Sequence, residues 1–328
     1  MSRVVVAGGA GFLGSHLCDR LIERGDEVVC LDDFSTGRRE NVAQLEGSSR
    51  FSMVVADASR EVPVDGLVDA VCNLASPASP PAYLERPLET LAVGSEGTRR
   101  LLELADRHGA RFLLASTSEV YGDPAVHPQV ESYRGNVDPV GPRGVYDEAK
   151  RFAEAITMAS HRARGTDVGI ARIFNTYGPR LSPGDGRVVS NFVVQALAGD
   201  PITVYGDGSQ TRSLCFVDDE VAGLLALLGS GETGPVNIGN PDERTVLELA
   251  HEVLAVTGSG SEVVFRPLPA DDPTRRCPDI TLARRTLGWE PKVALRAGLA
   301  RTVEYFADQM QDRAAAGRLP QPGPVVDG

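Results

Sequence analysis

The segment Gly8-Gly9-Ala10-Gly11-Phe12-Leu13-Gly14 constrains this chain more than any other stretch. It follows a β-branched run at residues 4–7 and opens a stretch with apolar residues at Leu13, Leu17 and Leu21, the spacing of one helix face. Glycines at 8, 11 and 14 permit a tight turn, close approach of backbone to a pyrophosphate, and tight packing of helix on strand. The start of such a helix offers unpaired N–H groups and partial positive charge to phosphates. A glycine triplet alone also fits an ordinary βα turn, so context decides. Asp32 ends the second strand-like run, where a carboxylate accepts hydrogen bonds from an adenosine ribose and repels a 2′-phosphate. Arg38 and Arg39 would argue for NADP, but a second acid, Asp33, follows, and NAD is expected. The expected cofactor contacts are Gly8, Gly11, Phe12, Leu13, Gly14, Asp32, Asp33, Ser35, Thr36, Gly37, Leu74 and Ala75. Asp57 is read as an adenine contact or, equally, as a surface-turn acid.

Short β-branched runs at 4–7, 28–31, 53–55, 68–74, 112–115 and 168–173 alternate with helical patterns. That alternation predicts an α/β fold, a parallel sheet wound on both faces of the Rossmann type. The cofactor domain is expected over residues 1–178, with segments near 211–240 returning to it. Gly and Pro concentrate beyond Gly178, so 179–313 is read as a smaller substrate-binding lobe, and 314–328 as a disordered tail. A net charge of -12 and the lack of any Lys/Arg block argue against a nucleic-acid partner. Five scattered cysteines without CxxC spacing suit a reducing cytoplasm. There is no leader-like start and no apolar stretch of about 18 residues, so a soluble protein without a membrane span is expected. The five histidines show no shared-metal spacing, and no metal is expected.

Tyr146 and Lys150 form Tyr-x-x-x-Lys in a strongly helical stretch, one turn apart on one face. A free tyrosine, with a pKa near 10, is a poor base at neutral pH. Neighbouring cations favour the phenolate, and a shift of about 3 units corresponds to about 4 kcal/mol. Tyr146 would then be a general base for a sugar hydroxyl, with Lys150 reaching the nicotinamide ribose. Thr117, Ser118 and Glu119 follow an apolar strand, at the end where open α/β sheets bind ligands.

These residues stand within longer stretches: LASPASPPAY (74–83), STSEVYGDP (116–124), GPRGVYDEAKR (141–151), RIFNTYGPR (172–180), DGRVVSNF (185–192), VYGDGSQTR (204–212) and DDPTRRCPDI (271–280). On these motifs the chain, over residues 4–291, resembles the extended short-chain dehydrogenase/reductase family and, within it, the UDP-glucuronate decarboxylases. The resemblance implies that C4 of the sugar is oxidised by tightly bound NAD, with Tyr146 taking the hydroxyl proton, Thr117 sharing the hydrogen bond and Lys150 positioning both. A C4 ketone makes the glucuronate a β-keto acid, so the C6 carboxylate is lost as an enolate forms. Return of proton and hydride gives UDP-xylose.

By the same resemblance Ser118 and Glu119 lie beside C5 and the carboxylate. Glu119 is the expected support for decarboxylation or reprotonation, its pKa raised by the facing substrate carboxylate. A related 4,6-dehydratase carries an acid where this chain has Ser118, which argues against dehydration. Arg212 and Arg276 are expected at the diphosphate, Arg276 also reaching the glucuronate carboxylate, and Arg187 at the nucleoside side. Asn175 is expected at the pyrophosphate or sugar, with Asn191 paired to it, Tyr205 over the uracil, and Tyr83 at the sugar or tucked into the core. Three departures stand out. Gly94 takes the place of a common Asn, at a cost of about 1 kcal/mol inside a helix, Arg134 that of a tryptophan, and Cys277 that of a lysine. The competing reading is another NAD-dependent sugar-nucleotide 4-epimerase or 4,6-dehydratase. The resemblance also implies a homodimer through helices near residues 88–108 and 146–161.

Overall fold

β-branched runs too apolar for a one-sided sheet should be covered on both faces, and they are. In the computed structural model, which describes residues 1–267 and 275–315, six of them are parallel strands. These are β1 (Arg3–Ala7), β2 (Glu27–Asp32), β3 (Phe51–Val55), β4 (Ala70–Asn73), β5 (Arg111–Thr117) and β6 (Val168–Ile173). A seventh strand, Val236–Ile238, pairs with β6, and the order across the sheet is Val236–Ile238, β6, β5, β4, β1, β2, β3. Alternate residues of β1 enter opposite cores: Val4 and Val6 pack with Leu17 and Cys30, Val5 and Ala7 with Leu31 and Leu101. This is the expected doubly wound Rossmann sheet. The expected run at 112–115 extends to Thr117, so Thr117 is the last strand residue rather than the first of the loop.

Strand order reverses between β1 and β4, and ligands of open α/β sheets bind at such a point. There the turn after β1 lies against the chain leaving β4. Gly8 has φ +76°, and a Cβ on it would stand 2.7 Å from the Leu74 carbonyl carbon. Gly14, in helix α1 (Phe12–Arg24), packs on the same turn, where a Cβ would meet the Gly8 oxygen at 2.0 Å.

After Tyr177 the chain leaves the sheet. Helix Val188–Ala198 packs beside helix Val246–Thr257, which begins with a capping box between Thr245 and Glu248. Such a cap contributes about 1 kcal/mol. Short pairs, Ile202–Tyr205 with Val263–Arg266 and Thr211–Ser213 with Glu243–Thr245, complete the lobe. Helix Val217–Leu228 returns to α1 and the sheet. The last helix, Leu295–Ala315, runs through Ala314, where a disordered tail was expected to begin; residues 316–328 lie outside the described residues.

Gly94 is not a defect in a regular helix. It lies in the π-helical turn Val93–Gly97, and a Cβ on it would come within 2.7 Å of the Ala149 Cβ. The glycine lets this turn press against the helix Gly144–Arg164, which carries Tyr146 and Lys150.

Candidate active site

A cavity of about 670 Å³ runs from the glycine turn, past the end of β5, to Tyr205 and Arg212. Gly8, Gly11, Phe12, Leu13, Gly14, Thr36 and Leu74 line its cofactor end. The first turn of α1 has no side-chain cap at Gly11, so its N–H groups suit a pyrophosphate. Asp32 is buried behind that wall: its carboxylate accepts the Ala10 N–H at 2.9 Å and the Phe34 N–H at 2.8 Å. Burial raises its pKa, and the two amides oppose the rise. Each oxygen keeps a second acceptor site for a ribose hydroxyl. Gly37 packs on the same carboxylate, where a Cβ would stand 2.5 Å from Oδ1. Asp33 accepts the Ser35 amide at 2.8 Å, and the Ala75 amide is held by Asn73 at 3.2 Å. Arg38 donates to Asn41, to the Arg180 carbonyl and to the Tyr305 hydroxyl, each at 3.2 Å, which ties the cofactor loop to the C-terminal helix. Asp57 is not among the cavity-lining residues. It accepts the Ser59 N–H and hydroxyl and pairs with Arg60, the behaviour of a turn acid.

The reacting end gathers three segments from distant parts of the chain. Tyr146 is buried in helix Gly144–Arg164 and stacks on Tyr83, ring centroids 5.2 Å apart and nearly parallel. Burial pushes its pKa up, while a hydrogen bond with Thr117 and the charge of Arg187 pull it down. Lys150 donates to the Ala115 carbonyl at 2.9 Å, and its Nζ stands 5.8 Å from the Tyr146 ring centroid. Burial lowers the Lys150 pKa to about 8. Thr117 Oγ1 also accepts the Glu119 amide at 3.2 Å, fixing the turn that presents Ser118 and Glu119.

Glu119 departs from expectation. Burial would raise its pKa, but Arg276 and Arg143 outweigh that and, with Arg212, hold it at about 2. Its Oε2 accepts from Arg143 at 2.8 Å and from Arg276 at 3.3 Å. A carboxyl ionised this firmly cannot donate a proton near neutrality, so the raised pKa expected for it does not hold in the protein by itself. Arg143 was missed by the sequence reading; the available signal was an arginine three residues before Tyr146, one helical turn away. Asp147, also missed, is buried beside this cluster, and burial with the charge of Glu119 raises its pKa to about 7.

Arg276 is 2% exposed and donates to the Ser118 carbonyl and to Glu119, at the reacting end. Arg187 forms a two-point pair with Asp185, Nη2 to Oδ2 2.8 Å, lines the cavity, and its charge acts on Tyr146. Arg212 and Tyr205 also line the cavity, and the charge of Arg212 acts on Glu119. Asn175 and Asn191 both line the cavity, but the Asn191 amide donates to the Gly186 carbonyl at 3.0 Å instead of pairing with Asn175. Cys277, the lysine departure, is buried and its amide donates to Gln129 at 2.9 Å. Residues 271–274 of the DDPTRRCPDI motif lie outside the described residues. Among the described residues no group of His, Cys, Asp and Glu could hold a metal.

The profile of the NAD dependent epimerase/dehydratase family matches residues 4–239. UDP-glucuronic acid decarboxylase 4 of Arabidopsis thaliana is 54% identical over 315 residues, 94% of this chain and 71% of the relative. UDP-glucuronic acid decarboxylase 1 of Xenopus tropicalis is 49% identical, with 98% and 76% covered. Among solved structures, UDP-glucose 4-epimerase of Thermotoga maritima superposes with a TM-score of 0.84 at 31% identity, over 94% of this chain and 99% of that one. UDP-glucuronic acid 4-epimerase of Bacillus cereus, in complex with UDP-glucuronic acid and NAD, gives 0.82 at 27% identity, over 94% and 99%. With the glycine turn and the Thr117, Tyr146 and Lys150 set in one cavity and Asp32 behind its wall, the chain belongs to the NAD dependent epimerase/dehydratase family and, within it, to the UDP-glucuronic acid decarboxylases.

Proposed function

We propose that this protein decarboxylates UDP-glucuronate to UDP-xylose, using NAD that is recycled within each turnover. The observation that carries the reading is the charge beside the base: Arg143 and Arg276 share the carboxylate of Glu119, and Asp147 beside them is protonated below about pH 7, which leaves positive charge in excess. A sugar carrying a carboxylate on C5 supplies the missing negative charge. A neutral hexose does not.

When bound, NAD supplies the acceptor and donor of the C4 hydride. Tyr146 takes the proton of the C4 hydroxyl, assisted by the hydrogen bond to Thr117 and by the positive charges of Lys150 and Arg187. With a ketone at C4, the C5–C6 bond breaks, CO2 leaves, and its electron pair moves through C5 to O4 as an enolate. The Tyr146 and Thr117 hydroxyls donate to that oxygen. Glu119 is ionised before substrate arrives, and its charge holds Arg143 and Arg276 at the reacting end; a proton from water then adds at C5 of the enolate, restoring the C4 ketone, which takes back the hydride and the Tyr146 proton. Ser118 supplies no acid to expel a C6 hydroxyl, which disfavours dehydration. Arg212, Asn175, Asn191 and Tyr205, which line the same cavity, are assigned to the diphosphate and uridine.

A homodimer belongs to the same reading. Leu88 and Leu91 of helix Pro87–Ala92 and Phe152 of helix Gly144–Arg164 are exposed apolar side chains on helices that pack together. A second copy would cover them. A cytoplasmic site of action accords with five buried free cysteines, and no helix among the described residues is long and apolar enough to cross a membrane.

The test is to incubate purified protein with NAD and UDP-glucuronate and follow CO2 and product mass. UDP-xylose with no net NADH is expected. Unchanged mass with a C4 epimer by NMR would overturn the reading.

A further inference from the structure

We propose that the ion pair between Asp19 and Arg180 is a clasp that retains NAD between turnovers, and that its opening sets the rate at which the cofactor exchanges. The inference goes beyond the function proposed above, because it concerns the cofactor whichever sugar nucleotide reacts. Helix α1, whose first turn faces the pyrophosphate site, carries Phe12, His16 and Asp19 at the i, i+4 and i+7 spacing of one face. The loop 178–187, between Tyr177 and helix Val188–Ala198, meets that face, and its residues Arg180, Ser182, Gly184 and Arg187 line the same cavity as the glycine turn. The turn and the loop are two walls of one cavity, and parting them opens a way out for the cofactor.

The hold on α1 is concentrated at the start of the loop. His16 Nε2 lies 2.9 Å from the Pro179 carbonyl, where it bonds only as the N–H donor. Arg180 Nη1 stands 2.6 Å from Asp19 Oδ2. The Arg180 carbonyl accepts from Arg38 at 3.2 Å, and the Arg38 amide donates to Ala10 of the glycine turn at 3.0 Å. Arg180 has φ +67°, in the left-handed region, a conformation that a residue with a side chain keeps where its surroundings fix it. Its side chain reaches α1 while its carbonyl meets the loop after β2. Further along, the loop binds mainly to itself, through the Asp185 amide to the Ser182 carbonyl and through Arg187 to Asp185.

Partial burial suits this pair to the role. Asp19 and Arg180 each keep 19% of their side-chain surface, whereas Arg20 and Glu23 of the same helix keep 62% each. The first pair is therefore screened less by salt than the second, yet water still reaches it to part the charges. The other Asp19 oxygen accepts from Gln44 at 2.7 Å, which aims the carboxylate at the loop.

The experiment loads the purified protein with radiolabelled NAD, adds excess unlabelled NAD and follows the label that stays with the protein. D19N and R180Q, each removing one charge of the clasp, should release label at least tenfold faster than the unsubstituted protein; R180Q carries the test if D19N does not fold. R180K keeps the charge and should stay within threefold. E23Q, which breaks the exposed pair on the same helix, should stay within twofold. Activity that D19N loses on dilution should return when NAD is added. Unchanged release from D19N and R180Q, or release from E23Q as fast as from D19N, overturns the assignment. Failure of the unsubstituted protein to release CO2 from UDP-glucuronate would count against the function reading, while the release rates would still judge the clasp.

Discussion

The two ends of the cavity are built by opposite means. At the cofactor end most of the site lies within the first 40 residues: β1, the glycine turn, α1 and the carboxylate of Asp32 follow one another, joined by Leu74 after β4, and backbone shape does the recognition. At the reacting end, Thr117 to Glu119, Arg143 to Lys150 and Arg276 arrive from three segments, the Glu119 and Arg276 pair being separated by 157 positions. Here recognition comes from charge, and the charges interact with each other before any ligand arrives. A backbone site tolerates few changes of shape, whereas a charged site tolerates changes of shape but not of balance.

The largest effect should come from removing the reacting group itself. Tyr146→Phe keeps the stacked ring but not the proton acceptor, and turnover should fall by about 10³-fold, measured as CO2 release, with affinity for UDP unchanged. An equal loss of UDP affinity would show that the two ends are not separable.

Next is the balance of charge. Glu119→Gln leaves two arginines facing a neutral amide, and unfolding in denaturant at pH 7 should show a loss of about 3 kcal/mol. The folded pKa of Glu119 is depressed to about 2 from 4.5, so its stabilisation is present above pH 4.5 and lost as pH falls toward 2. The gap between the two proteins should therefore close over that window. A constant gap would locate the effect in packing instead.

Shape is tested by Gly14→Ala, whose Cβ would meet the Gly8 oxygen at 2.0 Å. We expect purified protein to carry less bound NAD, read from its absorbance after denaturation, and to lose about 2 kcal/mol of stability. Normal NAD content would mean that the turn has slack.

The smallest effect concerns Asp147, whose folded pKa is raised from 3.8 to about 7. The folded state then holds a proton that the unfolded state releases, so stability falls as pH rises from about 4 to 7. Asp147→Asn removes that dependence. Its Tm should match the unsubstituted protein at pH 4 and exceed it at pH 8.

What was legible in the sequence follows the same division. The glycine turn, the strand alternation, Asp32 and the Tyr146 and Lys150 spacing are local patterns, and local patterns survive in a one-dimensional record. The state of Glu119 does not: its low pKa depends on Arg143 and Arg276, which only the fold brings to it. The surroundings of Arg187 are hidden for a related reason, since its pairing with Asp185 and its effect on Tyr146 depend on how the loop before helix Val188–Ala198 turns. Gly94 looked like a lost amide in a helix and is instead the contact surface for Ala149, a fact carried by helix packing alone.

The central claim is that one site removes a hydride from C4, loses the C6 carboxylate and restores the hydride to the same carbon. It is tested most directly with UDP-glucuronate deuterated at C4, incubated with NAD present at one equivalent of protein. The account predicts UDP-xylose with the deuterium retained at C4. Deuterium lost to solvent or accumulating in released NADH would contradict it.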